Sequence, residues 1–430
     1  MFSAKDSPAS KLLVLIGAII FFVIVALGSG AEHKVSPDSD SYIALAKGQL
    51  DQTYAPFSNR ILYSFLILAA SRVTGLPVET LFHVAGVVFA AALVAVTMLL
   101  IAKFAGGMTP HAKGLLALLL VGAPWSVSLY AIYFLPDLLN TVLIGLFFLT
   151  FPRHRVWAFL FMFLAFLTRE STLVLSAAVV GETLYEGRWT AGFAPVSVSG
   201  AATLVVHYAG KFMEPNVHNL SGFTYLTYKV VHHGARNLFG LDFLSNRSYF
   251  YNAYKAVAEF HLPDWKIFGG TTTVAFLGFD PLLPVHTTWA FWTTFGVAPY
   301  IVLVMFIRQG RELFAAMPTA VRIALVYSLF GFVSAPFLGS AVERYVSSAW
   351  PVVGVVLPWL VSHARIQVSA RLVVAHIVAC WQMYLLWFLP GTVGLLASLA
   401  IAISASVYAS RLIRQRTLEI PAQAACSVIE

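Results

Sequence analysis

Two acidic side chains in the segment Pro37–Tyr42 could accept a proton in a reaction. The segment reads Pro-Asp-Ser-Asp-Ser-Tyr and follows a long apolar run, so Asp38 and Asp40 are expected at a membrane edge. An acid next to hydrocarbon is costly to desolvate and usually has a partner, a water-filled cavity or a chemical task. A carboxylate placed there can serve as a general base. Asp38 could instead only cap the helix predicted through Tyr42 to Lys47, whereas Asp40 already lies inside its first turn, where a cap does not require it.

Further ionisable side chains fall between apolar runs or at their ends. Such residues are candidates for function because a membrane-embedded charge is expensive. Guanidinium groups can bind phosphate and stabilise a developing negative charge, and carboxylates can orient hydroxyls or arginines. All of these positions fall on the same predicted side of the membrane, which suggests a shared cavity. The candidates are Arg60, Asp137, Arg169, Glu170, Glu343, Arg344 and Tyr345.

Each of these candidates also has a simpler explanation. Asp137 follows Pro136 and could cap the next helix. The neighbours in Arg169-Glu170 and in Glu343-Arg344 could neutralise each other as ion pairs at the interface. The sequence leaves these alternatives open.

The composition shows which kind of protein positions these residues. The chain has 430 residues, of which 59% are hydrophobic and only 11% are charged. Its mean hydropathy of +0.81 is too high for a soluble globular protein. Many apolar runs approach the roughly 20 residues that a transmembrane helix needs. We therefore predict an all-α polytopic membrane protein with about 12 transmembrane helices and both termini on the cytoplasmic side. The two cysteines predict no disulfide framework.

The distribution of basic residues sets the predicted topology. Counting 60–76 as a full span would put the basic loops around Lys103 and Lys113 outside, against the positive-inside rule. This stretch is therefore predicted as a juxtamembrane helix at the outer leaflet, ended by Gly75 and Pro77. Anionic lipid headgroups explain the basic cytoplasmic face, so no nucleic-acid partner is expected.

The whole chain is predicted to form a single integral membrane domain, 1–430. Residues 114–134 and 287–307 are each predicted as one span. The long outer loop is rich in aromatic residues and is expected to pack as interfacial helices over the cavity. The predicted parts are the first span 12–29, the first outer loop with juxtamembrane helices 30–79, a helical core 80–210, the long outer loop 211–286, the C-terminal spans 287–410 and a cytoplasmic tail 411–430.

The order of these motifs resembles that of the polytopic glycosyltransferases of the GT-C superfamily. The resemblance covers most of the N-terminal half and one late motif. This chain departs from many relatives at the first acid, since it has Asp-Ser-Asp where they have Asp-Glu or a single Asp. The motifs are the outer-loop segment Asp38 to Ala46, the juxtamembrane Pro56-x-x-x-Arg60, the outer-turn Asp137, the Thr168-Arg169-Glu170 turn and the late Glu343-Arg344-Tyr345.

The resemblance implies a GT-C-like core in 80–210 and an inverting transfer of a sugar. The donor would be a polyprenyl-phosphate-linked sugar, and the acceptor a hydroxyl of a lipid, glycan or protein. The reaction would take place at the outer face of the cytoplasmic membrane of a bacterium, in cell-envelope glycan synthesis. No metal or other cofactor is expected.

The resemblance also implies a role for each candidate residue. Asp40 would be the base, with Asp38 as its alternate, and Arg344 and Arg169 would hold the phosphate. Asp137 and Glu170 would orient sugar hydroxyls or the arginines, and Arg60 would line the acceptor entrance. Glu343 and Tyr345 would complete the substrate-binding set.

A multi-pass transporter or lipid flippase is the main alternative function. Twelve spans with both ends inside is also a common transporter layout. A transporter, however, predicts repeated halves and charges near the membrane midplane. The charges here fall at predicted outer span ends, and the two halves of the sequence differ, which favours the enzyme.

Overall fold

The computed structural model confirms an all-α polytopic architecture. It describes residues 8–30, 37–50, 53, 59–121, 123–210, 222–245, 260–267, 270–339, 342–382, 389 and 391–417. Within these residues five helices are long and apolar enough to cross a membrane, or up to seven if each bent pair of helices is one span. The chain is therefore a multi-pass membrane protein, and the number twelve stays a prediction.

The first half of the chain is a succession of helices with short connections. In chain order they are α1 (Pro8–Gly30), α2 (Pro37–Ala46), α3 (Ile61–Thr74), α4 (Val78–Phe104), α5 (Pro110–Val121), α6 (Pro124–Ala131), α7 (Asp137–Thr150), α8 (Arg155–Thr168), α9 (Leu173–Tyr185) and α10 (Phe193–Gly210).

The second half adds a small sheet to the helices. Its elements are α11 (Gly222–Phe239), β1 (Leu241–Ser245), β2 (Phe260–Ile267), β3 (Gly270–Phe279), α12 (Leu282–Phe295), α13 (Ala298–Ala316), α14 (Thr319–Leu338), α15 (Val342–Val346), α16 (Leu357–His363), α17 (Ala370–Trp381) and α18 (Gly391–Thr417). A 3₁₀ turn and a π-helical turn join α15 to α16, so that 342–363 runs as one largely buried apolar span.

The core lies where α7 packs against α4 and α8, with Trp350 of the 342–363 span next to Gly145 of α7. The indoles of Trp125 and Trp350 stack there with ring centroids 5.9 Å apart, and both side chains are buried. A Cβ at Gly145 of α7 would lie 2.4 Å from Val96 and 3.1 Å from Trp350. Glycine thus lets α7 approach closely enough to fix the position of its N-terminal end.

Two predicted spans are bent in the structure. Within 114–134, the axes of Pro110–Leu119 and α6 differ by 54°, and Pro124 begins α6. Within 287–307, α12 and α13 differ by 95° at Gly296. Gly296 has φ 55°, and a Cβ there would lie 2.5 Å from the Cys380 sulfur. Both stretches are apolar enough to be taken as single spans, so hydropathy alone does not reveal the bends.

The two short helices predicted in the first outer loop, 30–79, are present in the structure. Helix α2 begins at Pro37 and carries both acids in its first turn. Helix α3 ends where expected, because Gly75 adopts the left-handed conformation with φ 72° and its N–H bonds to Ser71 O. Together α2 and α3 form a layer against α4 and α8. Pro56 of the Pro-x-x-x-Arg motif lies outside the described residues.

The described part of 211–286 contains a sheet as well as a helix, which the prediction of interfacial helices did not include. The strand order is β1-β3-β2 and both pairings are antiparallel. Helix α11 packs against α12 and α14. The Asn237 amide donates to Pro336 O at 2.7 Å and to Gly339 O at 2.9 Å, so α11 holds the end of α14. The rest of this segment lies outside the described residues.

A group of ion pairs around Arg322 joins the C-terminal end of α9 to the N-terminal end of α14. Arg322 Nε donates to Glu182 Oε1 at 2.6 Å, and its Nη2 donates to Glu186 Oε1 at 2.7 Å. Arg322 lies near the start of α14, whereas the end of this 20-residue helix leads towards Arg344. A helix of that length extends for about 30 Å, the thickness of the hydrocarbon core. Arg322 and Arg344 are thus separated by about the thickness of one membrane.

Candidate active site

The buried carboxylate of Asp137 is the centre of the candidate site. Asp137 is the first residue of α7 and is 2% exposed. Arg169 Nη1 donates to its Oδ1, and Arg344 donates to its Oδ2 from Nη2 at 2.9 Å and from Nε at 3.3 Å. The side chain does not cap its own helix. A carboxylate this deeply buried requires cationic partners, and the two arginines supply them.

A break between α8 and α9 places Arg169 over Asp137. Arg169 has extended backbone angles, φ −160° and ψ 126°, and a 3₁₀ turn follows it. The hydroxyls of Thr168 and Thr172 donate to the Asn140 side-chain oxygen at 3.0 and 3.2 Å. These two bonds fix the turn to α7, because Asn140 lies one helical turn beyond Asp137. Asn140 is not among the residues predicted from the sequence, although its spacing of three residues from Asp137 indicates the same helix face.

Helix α15 brings Arg344 and Tyr345 to the same place. The Tyr345 ring centroid lies 5.5 Å from the Arg169 guanidinium carbon and 6.0 Å from that of Arg344. The aromatic ring thus lies beside both cations. Gly339, just before α15, permits this arrangement, because a Cβ there would lie 2.3 Å from the Tyr345 ring.

Only one of the two acids of α2 faces this cluster. Arg344 Nη1 donates to Asp38 Oδ2 at 3.1 Å, and the Asp38 side chain is 36% exposed. Asp38 and the buried Tyr42 lie four residues apart on one face of α2. Asp40 is two residues from Asp38, which places it on the opposite side of the helix, and it is exposed.

Arg60 and Glu170 form a second ion pair beside the first. Arg60 is buried and donates to both Glu170 oxygens, at 2.8 Å from Nε and 2.5 Å from Nη2. Its Nη1 donates to the Tyr42 hydroxyl at 3.0 Å. Desolvation raises the pKa of Glu170, but the Arg60 charge outweighs it and lowers this pKa to about 2. Burial raises the pKa of Tyr42 to about 12. Glu170 is therefore ionised and Tyr42 is neutral.

Both pairs of neighbours in sequence take partners far away in the chain. Arg169 binds Asp137 and not Glu170, which binds Arg60. Arg344 binds Asp137 and Asp38 and not Glu343. The alternative of simple neighbour ion pairs is thus wrong for both motifs. Because these contacts join α2, α7, the α8–α9 turn and α15, they assemble one site from four distant segments.

Glu343 and Asp40 lie apart from the assembled cluster. Glu343 is half-buried and lines a separate cavity together with Trp125 and Trp289. The predicted residues that the structure does bring together are Asp38, Arg60, Asp137, Arg169, Glu170, Arg344 and Tyr345.

The buried part of the cluster has more positive than negative charge. Arg169 and Arg344 share the single carboxylate of Asp137, and the partly exposed Asp38 offsets the remaining charge. Each guanidinium has five N–H groups, so both retain donors for an added anion. Such an arrangement can bind a phosphate by replacing the contact of Arg344 with Asp38.

No family model matches the sequence, and a comparison with curated proteins finds no match. The fold is similar to that of ArnT from Cupriavidus metallidurans bound to undecaprenyl phosphate, at 15% sequence identity and a TM-score of 0.46. It is also similar to the apo state of the same protein, at 15% identity and a TM-score of 0.45. Each similarity covers 95% of this chain and 77% of the ArnT chain.

Proposed function

We propose that this protein is a GT-C-type glycosyltransferase that moves a sugar from a polyprenyl-phosphate donor to a hydroxyl acceptor. The observation that supports it most is the pairing of buried Asp137 with Arg169 and Arg344, beside Asp38. The acceptor would be a lipid, glycan or protein, and the reaction would take place at the outer face of the cytoplasmic membrane.

Arg344 and Arg169 would bind the phosphate of the donor. The leaving group in this reaction is a lipid phosphate, and its negative charge grows as the bond to the sugar breaks. Guanidinium groups already held by Asp137 and flanked by Tyr345 need little reorganisation to stabilise that charge. Asp137 then has the role of positioning the arginines, because its two oxygens are already occupied by them.

Asp38 is the better placed of the two candidate bases. Its face of α2 is the one that meets Arg344, whereas Asp40 faces away. A phosphate that binds Arg344 displaces Asp38 from its ion pair, so the Asp38 carboxylate is then free to accept a proton. The acceptor oxygen then attacks the anomeric carbon, and its proton goes to Asp38. The bond from that carbon to the phosphate oxygen breaks with its electron pair on the phosphate, so one displacement inverts the sugar configuration.

Arg60 and Glu170 would form the rim on the acceptor side. Arg60 is fixed by Glu170 and Tyr42, while half of the Glu170 side chain is exposed. An exposed carboxylate in a fixed position can accept hydrogen bonds from sugar hydroxyls. Arg60 thereby serves to position Glu170, in addition to its expected place at the acceptor entrance.

The location of the charges supports the enzyme over the transporter. The cluster around Asp137 lies at one end of α7 and α9, and the Arg322 group lies at the other end of α9. A transporter is expected to carry its charges near the membrane midplane. Basic residues such as Lys103 and Arg322 lie at the end away from the site, in accord with an outward-facing site.

The test is release of polyprenyl phosphate by the purified protein in lipid nanodiscs. A panel of polyprenyl-phosphate sugars is supplied with crude membrane lipid and glycan as acceptors. We expect turnover of one donor, abolished in Arg344→Ala and in Asp38→Asn. Asp40→Asn is the matched control, because it removes the same charge from the exposed face of the same helix. Absence of turnover with every donor, together with solute or lipid flux across vesicles, would overturn the proposal in favour of a transporter.

A further inference from the structure

A small cavity lies on the other side of α15 from the arginine cluster. Its volume is about 270 Å³, which is below the range of about 300–1,000 Å³ that holds a drug-sized ligand. It therefore suits a small molecule or the end group of a larger one. The lining residues are Pro124, Trp125, Ser128, Trp289, Thr293, Thr294 and Glu343.

Three of the polar side chains in the lining already use their hydrogens within the protein. The hydroxyls of Thr293 and Thr294 donate to Ala290 O at 3.1 and 2.7 Å. The Trp289 indole N–H donates to Gln382 Oε1 at 2.9 Å. The threonine oxygens can therefore only accept from a ligand, and Trp289 offers only its ring.

The carboxyl group of Glu343 is the acidic group among these lining residues. The neighbouring Arg344 is directed away to Asp38 and Asp137. Within the described residues Glu343 has no ion-pair partner, and the lining includes no Lys or Arg. His286 is close enough to interact electrostatically with Glu343 without forming an ion pair. A half-buried carboxylate without a cation is unfavourable, so an added cation would be stabilising.

We propose that this cavity binds a protonated amine. The ammonium group would pair with Glu343, donate to the threonine oxygens and lie against the rings of Trp125 and Trp289. A neutral polyol offers no charge to Glu343, and an anion would be repelled by it. The amine could be carried by an amino sugar or by the ethanolamine headgroup of a lipid, which present the same chemistry to the cavity. This site is independent of the proposed transfer reaction, because it uses none of the residues that hold Asp137.

Binding of small amines to the full-length protein tests the proposal. The protein is placed in nanodiscs of phosphatidylglycerol, which contains no amine, and titrated calorimetrically with glucosamine, ethanolamine and glucose. We expect saturable binding of at least one amine and none of glucose. Glu343→Gln should weaken amine binding at least about tenfold, because it removes a charge-assisted hydrogen bond. Glu312→Gln, an exposed glutamate outside the cavity, should leave binding unchanged.

The pattern across the probes also identifies the source of the amine. Binding of glucosamine alone indicates an amino sugar. Binding of ethanolamine that phosphatidylethanolamine nanodiscs suppress indicates a lipid headgroup. If Glu343→Gln fails to fold, Thr294→Val removes one acceptor, and a loss of about threefold or more in amine affinity is expected from it. Equal binding of glucose and glucosamine, or amine binding that neither variant weakens, would overturn the proposal, as would no binding of either amine. None of these readouts depends on sugar transfer.

Discussion

Arg344 is bound to Asp38 across 306 residues of chain, with 3.1 Å between Nη1 and Oδ2. This contact joins the helix that carries the candidate base to the helix that carries the candidate phosphate ligand. Arg344 also binds the buried Asp137, and this second contact fixes the position of the guanidinium group. Asp38, which is partly exposed, is the partner that an incoming anion can replace.

The first prediction concerns the base. Asp38→Asn should lower turnover by about 10²–10⁴-fold, because a general base contributes about that factor. Donor binding should be retained or strengthened, since the neutral amide competes less well for Arg344. The measurement is single-turnover release of polyprenyl phosphate beside equilibrium binding of the same donor. Asp40→Asn should behave as wild type, and a loss of turnover in Asp40→Asn alone would reassign the base.

The second prediction compares a buried and an exposed ion pair. Asp137→Asn leaves Arg169 and Arg344 buried without their shared carboxylate, which should lower the free energy of unfolding by about 3–5 kcal/mol. Glu79→Gln is the control, because its pair with Lys47 is nearly half exposed and should contribute about 0–1 kcal/mol. Thermal unfolding in detergent measures both. Equal stability of the two variants would show that Asp137 is not needed to hold the arginines.

The third prediction concerns the pH dependence of Glu170. Its pKa of about 2 lies below its ordinary value of 4.5, so the stabilisation from its pair with Arg60 is complete above about 4.5. That contribution is lost only as the pH falls through about 2. Glu170→Gln should therefore lower activity by the same factor at every pH between about 5 and 8. The measurement is the ratio of wild-type to variant rates across this range, and a ratio that changes with an apparent pKa inside it would contradict the prediction.

The sequence predicted which residues form the site better than it predicted which of them form ion pairs with one another. Hydropathy and charge place Asp38, Asp137, Arg169 and Arg344 at one side of the membrane, because burying a charge is costly wherever it occurs in the chain. Pairing depends on helix packing, which periodicity does not encode. The neighbours Arg169 and Glu170, for example, bind Asp137 and Arg60 respectively, because the extended backbone of Arg169 turns the two side chains in different directions.

Helical geometry could have decided between the two acids of α2. Residues two apart on a helix face in nearly opposite directions, so Asp38 and Asp40 cannot both reach one site. The buried Tyr42 lies on the face of Asp38, and this pattern was already in the sequence. The strands of the long outer segment and the bend at Gly296 could not have been inferred in this way, since both depend on contacts made far along the chain.

The last prediction concerns Gly339, which lies against Tyr345. A Cβ at this position would be 2.3 Å from the Tyr345 ring, so Gly339→Ala must displace the ring from Arg169 and Arg344. The backbone carbonyl of residue 339 still accepts from Asn237 in the variant, which keeps the end of α14 in place. We therefore expect turnover to fall at least about tenfold with a smaller effect on the unfolding temperature, because a shift of about 1 Å in the arginines beside the ring costs much of their contribution to phosphate binding.

Gly200→Ala is the matched control for this substitution. Gly200 lies within α10 and has no neighbour within 4 Å of an added Cβ, so alanine should stabilise the helix slightly and leave turnover unchanged. Parallel rate and melting measurements separate the two positions. If Gly339→Ala retained full turnover, Tyr345 would have no part in holding the arginines, and their carboxylate partners Asp137 and Asp38 would account for their alignment.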